Sequence, residues 1–304
     1  FDPYDVGSIL VGVKDSRKII AKFRGVIVDG VLRNDVIWLP SRFNSRIEKA
    51  SPNLISDLSR TYGRRRLIIG ECMGEEIGVN AEDLDGRLTI ITGKKETGKS
   101  HLAKLLITSL AEHGAKIVVL DINGEYVGLS KTAEGGLSRI ADKHVVLTPG
   151  EDFKISVEDA GLRTMSDILL HILGTPATSM REFARIWNLV KRYEERVTLR
   201  GLIDAVARAQ MHESVREALM SRLLSLEETG FFDDENPVKL AQVLNSRDGG
   251  GIFVIDLSKA LPQTRRIVVE YLLSKLSSLL RSGAIDPLFL LAEEAHLYLR
   301  ETYW

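Results

Sequence analysis

Gly93-Lys94-Lys95-Glu96-Thr97-Gly98-Lys99-Ser100 decides how the rest of this chain is read. It fits the pattern G-x-x-x-x-G-K-[ST], a loop that cradles phosphates. Its neighbours fit as well. Leu88-Thr89-Ile90-Ile91-Thr92 before it predicts a buried strand, and residues 101–113 after it predict a helix with Leu102, Leu105, Leu106 and Leu110 at helical spacing. Glycines let backbone N–H groups curl around phosphate oxygens, and the N-terminus of the next helix adds a positive dipole end. Lys99 is placed to reach the β- and γ-phosphates, and Ser100 to ligate Mg²⁺. All eight loop residues, with His101 behind them, are the candidate nucleotide contacts. ATP with Mg²⁺ is the expected ligand.

A second signal lies far downstream. Pro287-Leu288-Phe289-Leu290-Leu291-Ala292-Glu293-Glu294-Ala295-His296 is an apolar strand that ends in two acids, the Walker B arrangement. Glu293 would sit beside Mg²⁺, directly or through water, and Glu294 would polarise the attacking water as general base. A third signal is Val118-Val119-Leu120-Asp121-Ile122-Asn123-Gly124-Glu125-Tyr126. Asp121 ends the strand that follows the phosphate-loop helix, at the carboxyl edge where α/β sheets bind ligands. It would hold the lytic water or the Mg²⁺ shell, or simply close a strand-end turn.

From about residue 83 strands and helices alternate. Strands are expected over 88–92, 116–121, 144–148, 251–256 and 287–292, which gives an α/β core with a parallel sheet. Residues 157–245 show no strand signal, and helices are expected over 166–173, 180–196, 199–210 and 213–229, the third capped by Thr198. Asp248-Gly249-Gly250-Gly251 returns the chain to the sheet, and a helix over 264–282 follows Pro262. Residues 1–82 read as β-rich, with short runs over 6–13, 18–23, 25–28, 31–39 and 67–70, turn chemistry between them, and one helix over 51–62. The expected domains are therefore 1–82, a small β-barrel; 83–156 with 246–304, the nucleotide-binding core; and 157–245, an inserted helical subdomain.

Composition is that of a globular protein: 304 residues, 44% hydrophobic and 27% charged. No run approaches the about 20 apolar residues of a membrane helix, so no membrane partner is expected. Cys72 is the sole cysteine, a small core residue that suits a reducing cytoplasm. The six histidines show no metal spacing. A net charge of −1 is not the footprint of a protein that coats nucleic acid with its whole surface. Arg64-Arg65-Arg66, Lys131, Arg139, Lys143 and Arg247 are the candidate basic contacts, with a solvated charge run the commoner meaning of the first. Trp187 and Tyr193 read as core rather than as a base-stacking platform.

Taken in order, Asp121-x-x-Gly124-Glu125-Tyr126, a helical insertion, Gly-Ile-Phe-Val-Ile-Asp-Leu-Ser at 251–258 and Leu-Ala-Glu-Glu-Ala-His at 291–296 resemble the HerA branch of the HerA–FtsK translocases. The β-rich start is similar to the HAS-barrel of HerA proteins. The resemblance implies a RecA-like P-loop core and a homohexameric ring that hydrolyses ATP between subunits and translocates or unwinds double-stranded DNA. In archaea such rings work with the NurA nuclease in end resection and repair. By matched position Lys99 and Ser100 are the phosphate and magnesium residues, and Asp121, Glu293 and Glu294 the acidic group. Arg87 matches a position that contributes to the nucleotide site and is the candidate to act across a subunit boundary. Neighbouring readings are a conjugation- or secretion-type motor, and a nucleotide-gated assembly protein with weak catalysis.

Two departures stand out. Family loops read small-Thr-Gly-Ser-Gly-Lys-Ser, where this chain has Lys94, Lys95 and Glu96. The family also has a further strand with a polar sensor, and arginines, after the Walker B strand; this sequence stops at Tyr303-Trp304, so the C-terminal part of the core is expected to be missing.

Overall fold

The computed structural model describes the strands within residues 8–33, and residues 65–94, 96–132, 134–247 and 249–298. They fall into two compact units, 1–109 and 110–304.

In the first unit, β1 (Ser8–Val11) pairs antiparallel with β2 (Ile20–Phe23), and β3 (Val26–Val28) with β4 (Val31–Arg33). The closure of a barrel and the helix expected over 51–62 lie outside the described residues. A third antiparallel pair joins β5 (Arg66–Cys72) to β6 (Glu75–Asn80). Met73 and Gly74 turn between them with φ of 56° and 79°, the doubly positive geometry that matches the twist of a two-residue hairpin. A side chain at Gly78 would meet the Leu67 carbonyl oxygen at 2.7 Å, so the pair closes only over glycine. Strand β6 was not expected from the sequence, because Glu75 and Glu76 break its apolar alternation.

The strand expected over 88–92 does not form. Leu88 and Ile90 are 80% and 76% exposed, and no described residue pairs with the segment. Alternation supplies an apolar face, but a strand also needs a neighbour to take its N–H and C=O groups. The phosphate loop follows, then helix α1 (Lys99–Glu112). Its buried residues are Ala103, Ile107, Leu110 and Ala111; of the expected leucines Leu110 is buried, and Leu102, Leu105 and Leu106 are half-buried.

The second unit is built on a four-stranded parallel sheet in the order β10-β7-β9-β8: β7 (Lys116–Asp121), β8 (His144–Leu147), β9 (Gly251–Asp256) and β10 (Phe289–Ala292). The central strands β7 and β9 are buried nearly throughout, as their unbroken apolar runs require. The helices are α2 (Val157–Asp167), α3 (Ala177–Tyr193), α4 (Leu199–Arg208), α5 (Glu213–Glu228), α6 (Leu240–Asn245) and α7 (Pro262–Arg281). A π-helical turn, Ile168–Ile172, follows α2. No strand is found within 157–245, as expected. Helix α2 begins well before the expected 166: Ser156 caps a first turn by accepting the Asp159 N–H, and the helix continues after a break at Gly161, φ 77° and ψ 162°. Thr198 caps α4 in the same way. One side chain serves both helices: the Asp234 carboxylate accepts the Val157 N–H at 2.8 Å and the Leu199 N–H at 2.7 Å.

A single apolar core runs from Val118, Leu120 and Phe253 of the sheet through Met165 and Phe183 to Leu202 and Leu223 of the helices. Phe153, Phe231 and Tyr271 meet inside it edge-on or tilted, with centroids 5.4 to 6.5 Å apart. Lys116, at the amino end of β7, donates to Asn245 at 3.1 Å and Asp286 at 3.0 Å. The amino edge of the sheet is thus tied by polar bonds, and its carboxyl edge is left to the acids.

Candidate nucleotide site

The phosphate loop lies in the first unit. Three donors converge on one acceptor there: the Lys94 carbonyl takes the Thr97 N–H at 3.4 Å, the Thr97 hydroxyl at 2.7 Å and the Lys99 ammonium at 2.9 Å. Thr97 therefore closes the loop, and Lys99 rests on a neutral carbonyl that an anion would displace. A side chain at Gly93 would reach the Thr97 oxygen at 2.7 Å, which explains that glycine. Gly98 has φ 88°, and its carbonyl accepts the first helical N–H, from Leu102, at 2.9 Å. The N–H groups of the first turn of α1, through Lys99, Ser100 and His101, have no intrahelical acceptor. They favour an anion. Glu96 also has positive φ, 66°. Gly93, Lys94, Glu96, Thr97 and Gly98 are exposed, while Lys99 and Ser100 are half-buried. Lys95 lies outside the described residues. Arg87 is exposed and has no ion-pair partner among the described residues.

The acids lie in the second unit. Register places them. Ala292 is level with Leu120 across β10 and β7, and Asp121 with Asp256 across β7 and β9. Glu293, whose N–H reaches the Leu120 carbonyl at 3.3 Å, continues the row. Three carboxyl-bearing residues thus end three adjacent parallel strands, the edge where α/β sheets bind ligands.

They are not equivalent. Asp121 is fully buried, and its oxygens accept the N–H groups of Gly124 at 2.8 Å, Glu125 at 3.0 Å and Tyr126 at 2.8 Å. It shapes the loop that follows β7. Asp256 is also buried and accepts the N–H and hydroxyl of Ser258 at 3.0 and 2.6 Å. Ser258 lies against Gly124, where an added Cβ would come within 3.3 Å of its oxygen. Arg265 braces the same turn by donating to the carbonyls of Leu257 at 2.9 Å and Ser258 at 3.0 Å. Asp256 was missed as a site residue; a buried strand ending in Asp was the signal available in the sequence.

Glu293 is the under-compensated member. One of its oxygens, Oε2, is buried without a hydrogen-bond partner among the described residues. Burial raises its carboxyl above the ordinary value, Asn123 opposes this by hydrogen bonding, and the neighbouring Asp121 and Glu125 add to the rise. An orphaned carboxylate oxygen among acids fits a divalent cation. No group of three or more metal-ligating side chains is found among the described residues. Mg²⁺ keeps several waters and takes one or two carboxylates plus substrate phosphates. Glu294 follows in left-handed backbone, φ 45° and ψ 46°, with its carboxylate exposed and 3.5 Å from His296 Nδ1.

The basic candidates separate by geometry. Lys143 is committed to the carbonyls of Ala111 at 2.9 Å and Gly249 at 3.1 Å, which corrects its reading as a nucleic-acid contact. Arg65 pairs with Glu82 at 2.9 Å, and Arg66 donates to the Glu76 carbonyl at 3.0 Å; Arg64 lies outside the described residues. Lys131, Arg139 and Arg247 are exposed. Trp187 is core, edge-on to Phe183. Tyr193, expected in the core, is 76% exposed, because α3 ends at it and Glu194 is already extended.

A family model described as "Helicase HerA, central domain" matches residues 70–276. No curated protein sequence matches the chain. Among solved structures, the bacterial conjugative coupling protein TrwB, in a trigonal form with sulphate, superposes with TM-score 0.52 at 16% identity. That match covers 82% of this chain and 65% of that one, so this chain spans less than two thirds of TrwB's length. A monoclinic form of TrwB gives 0.51, again at 16% identity, over 82% of this chain and 63% of that one. VirB4 of Thermoanaerobacter pseudethanolicus gives 0.43 at 17% identity, over 66% of this chain and 82% of that one. The TrwB likeness is one of fold. No described helix is long and apolar enough to cross a membrane.

Proposed function

The chain belongs to the HerA helicase central-domain family, and on that premise we propose that it is an ATP-driven motor that moves or unwinds double-stranded DNA. The ring would be a homohexamer, acting in the cytoplasm on DNA ends with a NurA-like nuclease. The observation that carries the reading is the row Glu293, Asp121 and Asp256 at the carboxyl edge of the sheet, with the Glu293 Oε2 buried and unpartnered. A purely structural acid would be expected to have both oxygens satisfied there, and an unpartnered carboxylate oxygen fits a cation.

In this reading Lys99 leaves the Lys94 carbonyl for the β- and γ-phosphates. That exchanges a neutral acceptor for an anionic one and adds charge–charge attraction to a bond already assisted by the ammonium charge. Ser100 in the first unit and Glu293 in the second are each a residue whose chemistry suits Mg²⁺, which would neutralise charge on the transferring phosphoryl group. Glu294 is the general base for water, and Asp121 acts by holding the loop of Asn123 and Glu125 in place. Arg87 is the candidate to reach a neighbouring subunit's nucleotide, since it is exposed and free of an ion pair among the described residues.

DNA-stimulated ATP hydrolysis by the protein, with Lys99→Ala and Glu294→Gln as controls, tests the proposal. Hydrolysis should fall by at least about a hundredfold in each variant, the size of losing a general base. Unchanged turnover in either variant removes the assignment. The fold likeness to TrwB favours a second reading, a conjugation-type DNA motor. Capture of a soluble nuclease supports the first, and co-fractionation with membranes the second.

A further inference from the structure

We propose that Glu96 makes this loop a loose, fast-exchanging nucleotide holder; the inference rests on the nucleotide-binding reading above. Two observations meet at this residue. Its backbone has φ 66°, in the left-handed region that glycine enters without cost and a glutamate does not. Its side chain is exposed, with no ion-pair partner among the described residues.

Each observation weakens binding by its own route. The loop conformation that turns N–H groups toward an anion includes this left-handed residue. A side chain there lowers the fraction of molecules in that conformation, and apparent affinity falls by the same fraction. The carboxylate adds repulsion. Placed about 6 Å from a phosphate oxygen at an effective dielectric of about 40, one negative charge weakens binding about tenfold. The two effects differ in their response to salt. Exposed charges are screened within about 10 Å at 0.1 M salt, whereas backbone conformation is not. Release, rather than association, should carry most of the change.

The chemistry that follows is a preference for metal-complexed nucleotide. Mg²⁺ cancels much of the phosphate charge that Glu96 opposes, so metal-free triphosphate should be held far less well than the magnesium complex. A ring motor gains from such a loop, since product must leave before the next cycle, and release is often the slow step.

The test is stopped-flow release of fluorescent ATP and ADP analogues from the intact protein, with and without Mg²⁺, for the unsubstituted chain, Glu96→Gln, Glu96→Gly and Lys99→Ala. Glu96→Gln should slow release about tenfold at low salt, and the difference should shrink by 0.5 M salt. Glu96→Gly should slow it several-fold more, by an amount insensitive to salt. Metal removal should weaken binding more in the unsubstituted chain than in Glu96→Gln. If nucleotide binds and Lys99→Ala abolishes binding, yet both Glu96 variants release it within twofold of the unsubstituted chain, the inference fails and the nucleotide site stands. If no variant binds nucleotide while all keep the native circular dichroism spectrum, the nucleotide reading itself is overturned.

Discussion

Asp121→Ala distinguishes a residue that builds the site from one that reacts in it. Asp121 is buried, and its two oxygens accept three backbone N–H groups at 2.8 to 3.0 Å. A hydrogen bond to a charged group contributes about 1.5–3 kcal/mol net. Three bonds sharing one carboxylate are not additive, so the lower figure applies, and alanine should cost about 4–5 kcal/mol. Asparagine keeps one oxygen and turns an NH₂ toward the remaining donors, at about 2–3 kcal/mol. Against a total stability of about 5–15 kcal/mol these are large losses. Urea unfolding followed by far-ultraviolet circular dichroism reads them. At a slope of about 2 kcal/mol/M, alanine should lower the midpoint by about 2 M and asparagine by about 1 M, with the slope unchanged. ATP turnover should fall in the same order. An alanine variant within about 1 kcal/mol of the unsubstituted protein, yet without turnover, would refute the reasoning. It would mean that Asp121 meets the reacting groups rather than the loop.

Three further outcomes follow from groups in the second unit. Burial holds the His144 imidazole below its ordinary value, and its Nε2 bonds to the Tyr126 carbonyl at 3.0 Å. The unfolded chain then binds the proton more readily, so this residue costs stability as pH falls below about 6.5. His144→Gln should flatten that part of the pH profile, measured as the urea midpoint between pH 7.5 and 5.5. Glu293 has the opposite sign. Its raised carboxyl takes a proton more readily folded than unfolded, so it destabilises the fold as pH rises through the carboxylate range. Glu293→Gln should therefore melt higher than the parent at pH 7, lose that advantage below about pH 4, and hydrolyse no ATP. Asp159 accepts from Lys275 and from the Tyr271 hydroxyl, each at 2.7 Å, in a largely buried position. Asp159→Ala strands both partners and should cost about 3 kcal/mol in thermal or urea unfolding.

The parallel sheet was legible because its strands are buried on both faces and so carry unbroken apolar runs. Residues 116–121 and 251–256 were bounded correctly from Ile117-Val118-Val119-Leu120 and Ile252-Phe253-Val254-Ile255 alone. Segment 88–92 has a similar run, yet forms no ladder, because pairing depends on a neighbour that periodicity does not name. Helix α4 was placed by its cap, Thr198. Helix α2 started early because Ser156 and Asp234 cap it, and Asp234 acts from 77 residues away in sequence. The order of acids along the edge was half visible. Each strand end announced its own carboxylate, but that Asp121 is satisfied and Glu293 is not depends on the path of residues 122–126. No pattern of residue types encodes that path.

The departures from low-energy backbone bear on function through where they fall. Among the described residues, non-glycine positive φ occurs at Met73, Glu96 and Glu294. Met73 has a local reason, since the hairpin between β5 and β6 needs two positive φ values in succession. Glu96 is the third residue of the turn that the Thr97 N–H closes on the Lys94 carbonyl, and Glu294 lies in the turn before residues 295–297, but a glutamate is a costly choice at either position. Each costs on the order of 1–3 kcal/mol of backbone strain, and each falls in one of the two motifs that point to a nucleotide. Next to Glu294 stands the acid with the orphaned buried oxygen. Random imperfection would scatter such costs over loops and termini. Here they fall in the phosphate loop and at the Walker B end, the two segments to which the proposed function assigns a ligand. Glycine at 294 puts this to a direct trial. It should stabilise the protein by about 1 kcal/mol and end hydrolysis. A destabilised Glu294→Gly would show instead that this backbone is held by the glutamate side chain, and the strain would lose its functional meaning.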